Sequence, residues 1–331
     1  MSMIKSATYE RVTNQMKQTA VKVYKPVRKY SLENIKRDFK KNYSIYILIL
    51  PVILFYLYFC YGPMYGAIIA FKDFSPARGI MGSKWVGFEH FTDFFESIYF
   101  GRVLKNTLSI NIMNLLFGFP APIILALLIN ELTHKWFART IQTITYLPHF
   151  ISLVVMCSMI KVFTGPNGII GEAVGKMMGI NTSLLSIGKL FAPIYVISDI
   201  WQQVGWNSIL YLSALSGIDQ GLYEAATIDG AGRWKQTIHV TIPCIMPTII
   251  VMFILRMGSM LSVGYEKIIL LYSPMVYDTA DVISSYVYRS GLQEFKYDYA
   301  SAVGLFNSFI NFALVLSMNM LSKKYNETSL W

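Results

Sequence analysis

Four side chains that exchange hydrogen bonds or stack on rings recur along one apolar stretch: Asp199, Gln202, Gln203 and Trp206. Their spacing of i, i+3, i+4 and i+7 places them on one face of a helix. Carboxamides exchange hydrogen bonds with hydroxyls, and an indole offers an apolar face to a sugar ring. Such a face suits a polyol that must bind and then leave. Asn207 and Tyr211 prolong the strip toward the next polar loop, and a second apolar stretch carries Arg256, followed by Ser259 and Ser262. Ionisable groups at mid-membrane are costly and face a pathway or a partner. Two compatible roles are open for Arg256: pairing with Asp199 to lock two helices, or touching a solute. Asn111, Asn114, Asn307 and Asn311 read instead as hydrogen-bonding glue between helices.

The elements that hold these residues can be read from composition. Of 331 residues, 54% are hydrophobic and 15% charged, with a mean hydropathy of +0.44. A soluble domain carries about 25% charged residues, so this chain is an all-α membrane protein. Six transmembrane helices are predicted, at 44–71, 106–129, 141–163, 191–212, 244–265 and 300–321. Each meets the requirement of about 20 residues for crossing the hydrocarbon. Pro51, the Gly62-Pro63 pair, Pro120 and Pro122 fall inside spans, where neighbouring helices can satisfy the freed carbonyls. The expected organisation is a basic cytoplasmic arm at 1–43 with a short helix at 31–41, a six-span domain at 44–325 and a cytoplasmic tail at 326–331.

A net charge of +10 would fit nucleic-acid binding if it were spread over a face, but eleven of the 29 Lys and Arg precede residue 44. That bias is the positive-inside signature. It puts both termini in the cytoplasm and makes the arm a solvated tail against anionic headgroups; no nucleic-acid partner is expected. The first apolar run comes after this long polar stretch, so it reads as an uncleaved span, not a signal peptide. Cys60, Cys157 and Cys244 lack metal-ligand spacing and read as packing residues. The outer segment 72–105 holds Trp85, Phe88, Phe91, Phe94, Phe95, Tyr99 and Phe100. It is expected to lie along the membrane surface or cover the bundle. With the Gly-rich outer segment 164–190, it is a candidate meeting point for an external binding protein.

Between the fourth and fifth spans lies a polar loop, 213–243. Asp219 can cap a helix leading into Glu224 and the Ala225-Ala226 pair, whose small side chains leave a smooth surface of high helix propensity. Asp229-Gly230 is a turn pair, with Gly230 free to adopt positive φ. A second short helix should run over 232–240, with Pro243 at the entry to the fifth span. Packed helices are commonly joined by about 2–8 residues, so a loop of this length has a task.

The string Glu224-Ala225-Ala226, then Gly230, then Val240-Thr241-Ile242-Pro243, resembles the signature loop of ABC importer permeases. Val240 and Ile242 stand where Ile and Leu are usual. The segment from Leu222 to Ala231 is similar to the sugar-importing branch. So are Ile68-Ile69-Ala70-Phe71-Lys72-Asp73-Phe74, Trp85-Val86-Gly87-Phe88 and Leu147-Pro148-His149-Phe150-Ile151-Ser152. Together they resemble the subgroup serving complex oligosaccharides and polysaccharide fragments, over residues 40–325. The resemblance implies a type I importer permease in a bacterial cytoplasmic membrane, forming half of a pore with a second, related permease. It also implies two cytoplasmic ATPases that bind ATP and Mg, one of them gripping Glu224, Ala225, Ala226, Asp229, Gly230 and Pro243. An extracellular solute-binding lipoprotein would deliver the oligosaccharide.

No catalytic, cofactor or metal site is expected in the chain itself. The run Gly171 to Gly175-Lys176 has the wrong spacing for a phosphate loop and lacks the following hydroxyl, and four His leave little material for a metal centre. His149 and His239 read as structural. The alternatives are an ATP-independent carrier or channel, or an ABC permease for peptides. A proton-driven carrier would show inverted repeats and several intramembrane carboxylates. Neither is evident, and Asp199 is the one carboxylate placed well inside a span.

Overall fold

The computed structural model describes residues 32–326. The arm before Leu32 and the tail after Asn326 lie outside the described residues. The chain divides into two compact units, one ending at Tyr65 and the other beginning at Gly66.

In the first unit a basic helix, Leu32–Lys41, turns at Asn42 into the helix Tyr43–Phe55. Asp38 fixes the elbow by accepting from Asn42 Nδ2 (2.8 Å) and the Tyr46 hydroxyl (2.7 Å). Beyond it no side chain from Tyr43 to Tyr61 is buried. A helix apolar all round is solvated by lipid or by other spans, not by water.

Five stretches are long and apolar enough to cross a membrane: Tyr43–Phe71, Phe100–Asn130, Leu153–Met178, Arg233–Met257 and Tyr297–Lys324. The sixth crossing helix is Gly188–Ser216, with 29 residues. It is about 44 Å long, and its Asp, Gln, Asn and Ser residues lower its hydropathy below that of the others.

Of the prolines that enter these helices without ending them, three follow a π turn: Tyr56–Tyr61 before Pro63, Asn114–Gly118 before Pro120 and Thr237–Thr241 before Pro243. In each case the residue just before proline donates five residues back: Gly62 to Leu57, Phe119 to Asn114 and Ile242 to Thr237. Proline has no N–H, and its ring crowds the carbonyl four positions earlier. Widening the preceding turn by one residue lets the helix continue.

Two predicted spans differ from the structure. The third, expected as one helix over 141–163, is broken into Lys135–Tyr146 and Leu153–Thr164 by a 3-10 turn, Leu147–Phe150. Leu147 itself keeps helical dihedrals; the chain turns extended at Ile151 and Ser152, and Ser152 starts the next helix by accepting from the Val155 N–H. The fifth, expected over 244–265, runs through Pro243 from Arg233 and stops at Met257. Pro243 is thus inside a continuous helix, Arg256 is in its last turn instead of near its middle, and Ser259 lies in the turn beyond.

The fourth span is the axis of the second unit. Phe191, Tyr195, Ser198, Gln202, Gly205, Ser208, Tyr211 and Leu215 form its buried stripe. Phe191 and Tyr195 pack with Met156, Ile268 and Leu271 at one end, and Tyr211 and Leu215 with Ala126 and Ile245 at the other. Between these clusters the stripe narrows to Gly205 and Ser208. A Cβ on Gly205 would lie 2.1 Å from the Thr145 carbonyl oxygen, so only glycine permits this approach.

The aromatic segment after the first span covers the bundle, as expected. A short hairpin pairs Lys72 with Trp85 and Asp73 with Lys84, and Phe71 stacks on Trp85 at 5.7 Å. Phe94 is buried with Val103, Ile283, Tyr286 and Val303. The segment leading into the sixth span is tied down through Asp281, which is fully buried. It accepts from Arg289 Nη2 at 2.7 Å, Ser285 Oγ at 2.8 Å and Arg102 Nη2 at 3.4 Å. Burial works against the Arg289 charge, but the Asp281 carboxylate outweighs it and holds the guanidinium above its ordinary pKa.

The Gly205 contact yields a stability test. Gly205→Ala should destabilise the protein by about 1–3 kcal/mol through overpacking, read as a lower unfolding temperature in detergent. Gly101→Ala, whose added Cβ would meet nothing within 4 Å, should leave that temperature unchanged.

Candidate functional site

The polar loop folds as helix, turn, helix. Asp219 caps the helix Gln220–Ile228, its carboxylate accepting from the Gly221 N–H at 2.9 Å. The helix ends in a Schellman motif at Gly230, φ 75°. Gly230 N–H bonds to the Thr227 carbonyl at 3.0 Å and Ala231 N–H to the Ala226 carbonyl at 2.9 Å, while Asp229 N–H reaches Ala225. Both alanines of the motif therefore supply carbonyls that close the turn, and Gly230 supplies its left-handed residue. Gln236 Nε2 then joins the two arms by donating to Thr227 Oγ1 and to the Ala231 carbonyl, both at 3.0 Å. Tyr223 and Thr241 share a hydroxyl bond of 2.9 Å. Glu224 and Ala225 are exposed and Ala226 is half-buried. Exposed Leu222, Ile228 and Trp234 add apolar surface to the joint.

The polar strip of the fourth span divides in two. Gln202 turns into the buried stripe, donating at 3.4 Å to the carbonyl of Ile151 in the broken third span. Asp199, Gln203, Asn207 and Tyr211 line a cavity of about 290 Å³ together with Phe119, Met252 and Arg256. A second cavity, about 330 Å³, shares Asn114, Asp199, Gln203 and Arg256 and adds Gln202, Ser262 and Lys267. Trp206 lines neither of these cavities and is stacked on His149, with centroids 4.3 Å apart. His149 also contacts Gln203 Oε1 at 3.0 Å.

Of the two roles left open for Arg256, pairing with Asp199 is taken by another residue. Asp199 takes Lys267 Nζ at 3.4 Å and Asn114 Nδ2 at 3.0 Å. Lys267 also donates to the Tyr195 carbonyl at 3.1 Å, with Nζ 4.4 Å from the Tyr195 ring centroid. The reason is the early end of the fifth span. The chain turns at Ser259–Gly264 and re-enters the bundle as Tyr265–Leu271, bringing Lys267 to Asp199. Ser259 lies outside both cavities, its hydroxyl bonded to the Arg256 carbonyl at 2.9 Å.

Asn311 is glue as expected, donating to Ser262 Oγ and accepting from the Leu261 N–H, both at 2.9 Å. Asn114 is glue as well, joining the second span to the fourth by donating to Asp199 at 3.0 Å, within the charged cluster. Sequence reasoning missed Lys267 and His149 in this cluster. Lys267 fell in an assumed outer loop, though its position before the Ile268–Leu271 apolar run was a usable signal. No groups of three or more His, Cys, Asp or Glu that could hold a metal occur among the described residues.

A family model described as binding-protein-dependent transport system inner membrane component matches residues 118–327. The chain belongs to this family. Protein LplB of Bacillus subtilis (strain 168) is 43% identical to it over 293 residues, 88% of this chain and 92% of that protein. The polygalacturonan/rhamnogalacturonan transport system permease protein YteP of the same organism is 40% identical over 87% of this chain and 90% of that protein. Among solved structures, a bacterial ABC transporter involved in the import of the acidic polysaccharide alginate matches with a TM-score of 0.81 and 43% identity, covering 88% of this chain and 99% of that one. A bacterial alginate ABC transporter in complex with an alginate pentasaccharide-bound periplasmic protein matches at 0.80 and 42%, covering 89% and 99%. The fold is that of a type I ABC importer permease. The chain is a membrane component without catalysis of its own, ATP hydrolysis belonging to separate subunits. The ATP-independent carrier and channel readings are not favoured.

The buried pair can be tested by a cycle. Asp199→Asn leaves the Lys267 ammonium, 5% exposed, without its counter-charge and should cost about 3–5 kcal/mol. The double variant Asp199→Asn, Lys267→Met should recover most of that loss in the same unfolding assay.

Proposed function

We propose that this chain forms half of the translocation pore of an ATP-driven oligosaccharide importer, beside a second, related permease. Two cytoplasmic ATPases carry ATP and Mg, and one of them holds the joint at Gln220–Ile228. A solute-binding lipoprotein delivers cargo from outside, and both termini are cytoplasmic. The supporting observation is the build of the joint: an exposed helix closed by a Gly230 turn, bonded across to a second arm that continues unbroken to Met257. A flexible tether would absorb a push, whereas this joint passes it to the fifth span.

In this reading Glu224, Ala225, Ala226, Asp229 and Gly230 form the surface the ATPase grips, and Pro243 lies in the helix that carries the movement. ATP binding draws paired joints together and switches the pore between inward-facing and outward-facing states, a rigid-body form of alternating access. ATP shifts that equilibrium only through contacts that differ between the states. Asp199, Gln203, Asn207, Tyr211 and Arg256 line the solute route. Gln202 and Trp206 support it from the side by holding the broken third span in place, directly and through His149. Oligosaccharide cargo is supported by this cavity of amides, a phenol and a guanidinium against apolar walls, and by the saccharide importers among the relatives. No observation favours peptides.

Charge reversal in Glu224→Lys should weaken ATPase retention at least about tenfold, as expected for an interface charge left unmatched, and abolish uptake while both permeases still co-purify. Sugar-stimulated ATPase activity at the unmodified level in that variant would remove the joint from coupling.

A further inference from the structure

The two cavities beside the fourth span share one charge without an internal partner. Asp199 is matched by Lys267 and Asn114. Arg256 lines both cavities, yet its guanidinium makes no hydrogen bond or ion pair among the described residues. The side chains beside it are similarly idle: the amide of Asn207 and the hydroxyl of Tyr211 have no hydrogen-bond partner among the described residues, and Gln203 commits only its oxygen, to His149. Phe119, Met252 and Leu255 form the apolar part of the same wall. A half-buried guanidinium beside apolar side chains has lost part of its hydration, which is costly until an anion replaces the water. Glu266 also lines the second cavity. It is exposed in the first turn of Tyr265–Leu271, where water screens it far more than Arg256.

We infer that Arg256 is the group by which the pore reads a carboxylate on its cargo, an oligosaccharide bearing uronates of the kind named for the polygalacturonan and alginate transporters that this chain resembles. The planar guanidinium presents paired N–H donors that match a carboxylate in a two-pronged bond. Asn207, Tyr211 and the Gln203 NH₂ take the hydroxyls of the same or the adjoining ring. A neutral oligosaccharide would engage these neighbours and leave the Arg256 charge unanswered. This inference rests on the sugar-importer reading above and names the class of sugar.

The test uses the complete transporter complex in lipid nanodiscs, without its binding protein, so that only the pore selects. Binding of galacturonate, mannuronate and guluronate tetramers is measured by calorimetry against the same tetramers with each carboxylate reduced to an alcohol. At least one acidic tetramer should bind about tenfold or more tightly than its neutral form, and the preference should shrink with salt. Arg256→Gln should remove that preference while changing the neutral affinity far less, Arg256→Lys should keep part of it, and Glu266→Gln should keep or enlarge it. Equal binding of acidic and neutral tetramers by the unmodified complex would overturn the inference and leave oligosaccharide import standing. An equal loss for both in Arg256→Gln would also overturn it, making Arg256 a structural group. Binding of neither kind would count against the sugar reading as well. If Arg256→Gln fails to assemble, the unmodified complex, its salt dependence and Arg256→Lys still decide.

Discussion

The arrangement of the bundle depends on how one carboxylate is neutralised. Asp199 sits midway along the fourth span, where an unmatched charge would be among the most costly groups in the chain. Lys267 and Asn114 match it, and they come from different elements. Lys267 arrives on a short helix that re-enters the bundle after the fifth span, and Asn114 from the π turn of the second span. Satisfying Asp199 therefore ties three segments together at one depth. Lys267 is itself held by the Tyr195 carbonyl and ring, so the pair is set within a packed cluster and not left to find its own geometry. Because this lysine answers the aspartate, the nearby arginine is left available.

The breaks in the helices serve the same end. The 3-10 turn at Leu147–Phe150 frees backbone groups, and the fourth span supplies partners for the exposed region: Gln202 reaches the Ile151 carbonyl, while Gln203 and Trp206 hold His149. Near this point Gly205 lets the Thr145 carbonyl approach closely. Irregular backbone at membrane depth needs partners from protein; here Pro148 is buried and the Ile151 carbonyl is bonded by Gln202, while Leu147 and Phe150 stay exposed. The π turns before Pro63, Pro120 and Pro243 do the opposite, keeping helices intact where proline would otherwise interrupt them.

Continuity of the fifth span links the two functional regions. Its first turn belongs to the polar joint through Gln236, and its last turn carries Arg256. Gln236 and Arg256 lie about 30 Å apart at the rise of an α-helix. In the proposed mechanism, movement imposed on the joint reaches the cavity along a single element and needs no chain of side-chain rearrangements.

The sequence by itself determined the features that arise from local chemistry. Apolar runs of sufficient length gave the helical membrane class, Asp219 and Gly230 marked the two ends of the joint helix, and the aromatic run after the first span announced a covering element. These features act over a few residues, so pattern and propensity are enough to read them. The tertiary structure decided everything that depends on which helix faces which. Spacing put Asp199, Gln202, Gln203 and Trp206 on one face, but that face is wide enough for packing to send Gln202 into the core, Gln203 to the cavity and Trp206 onto His149. Spacing also could not show that the fifth span ends at Met257, and so could not choose between Arg256 and Lys267 as the partner of Asp199. An ion pair between residues 68 positions apart is fixed by where two helices meet, and that is a property of the packed bundle.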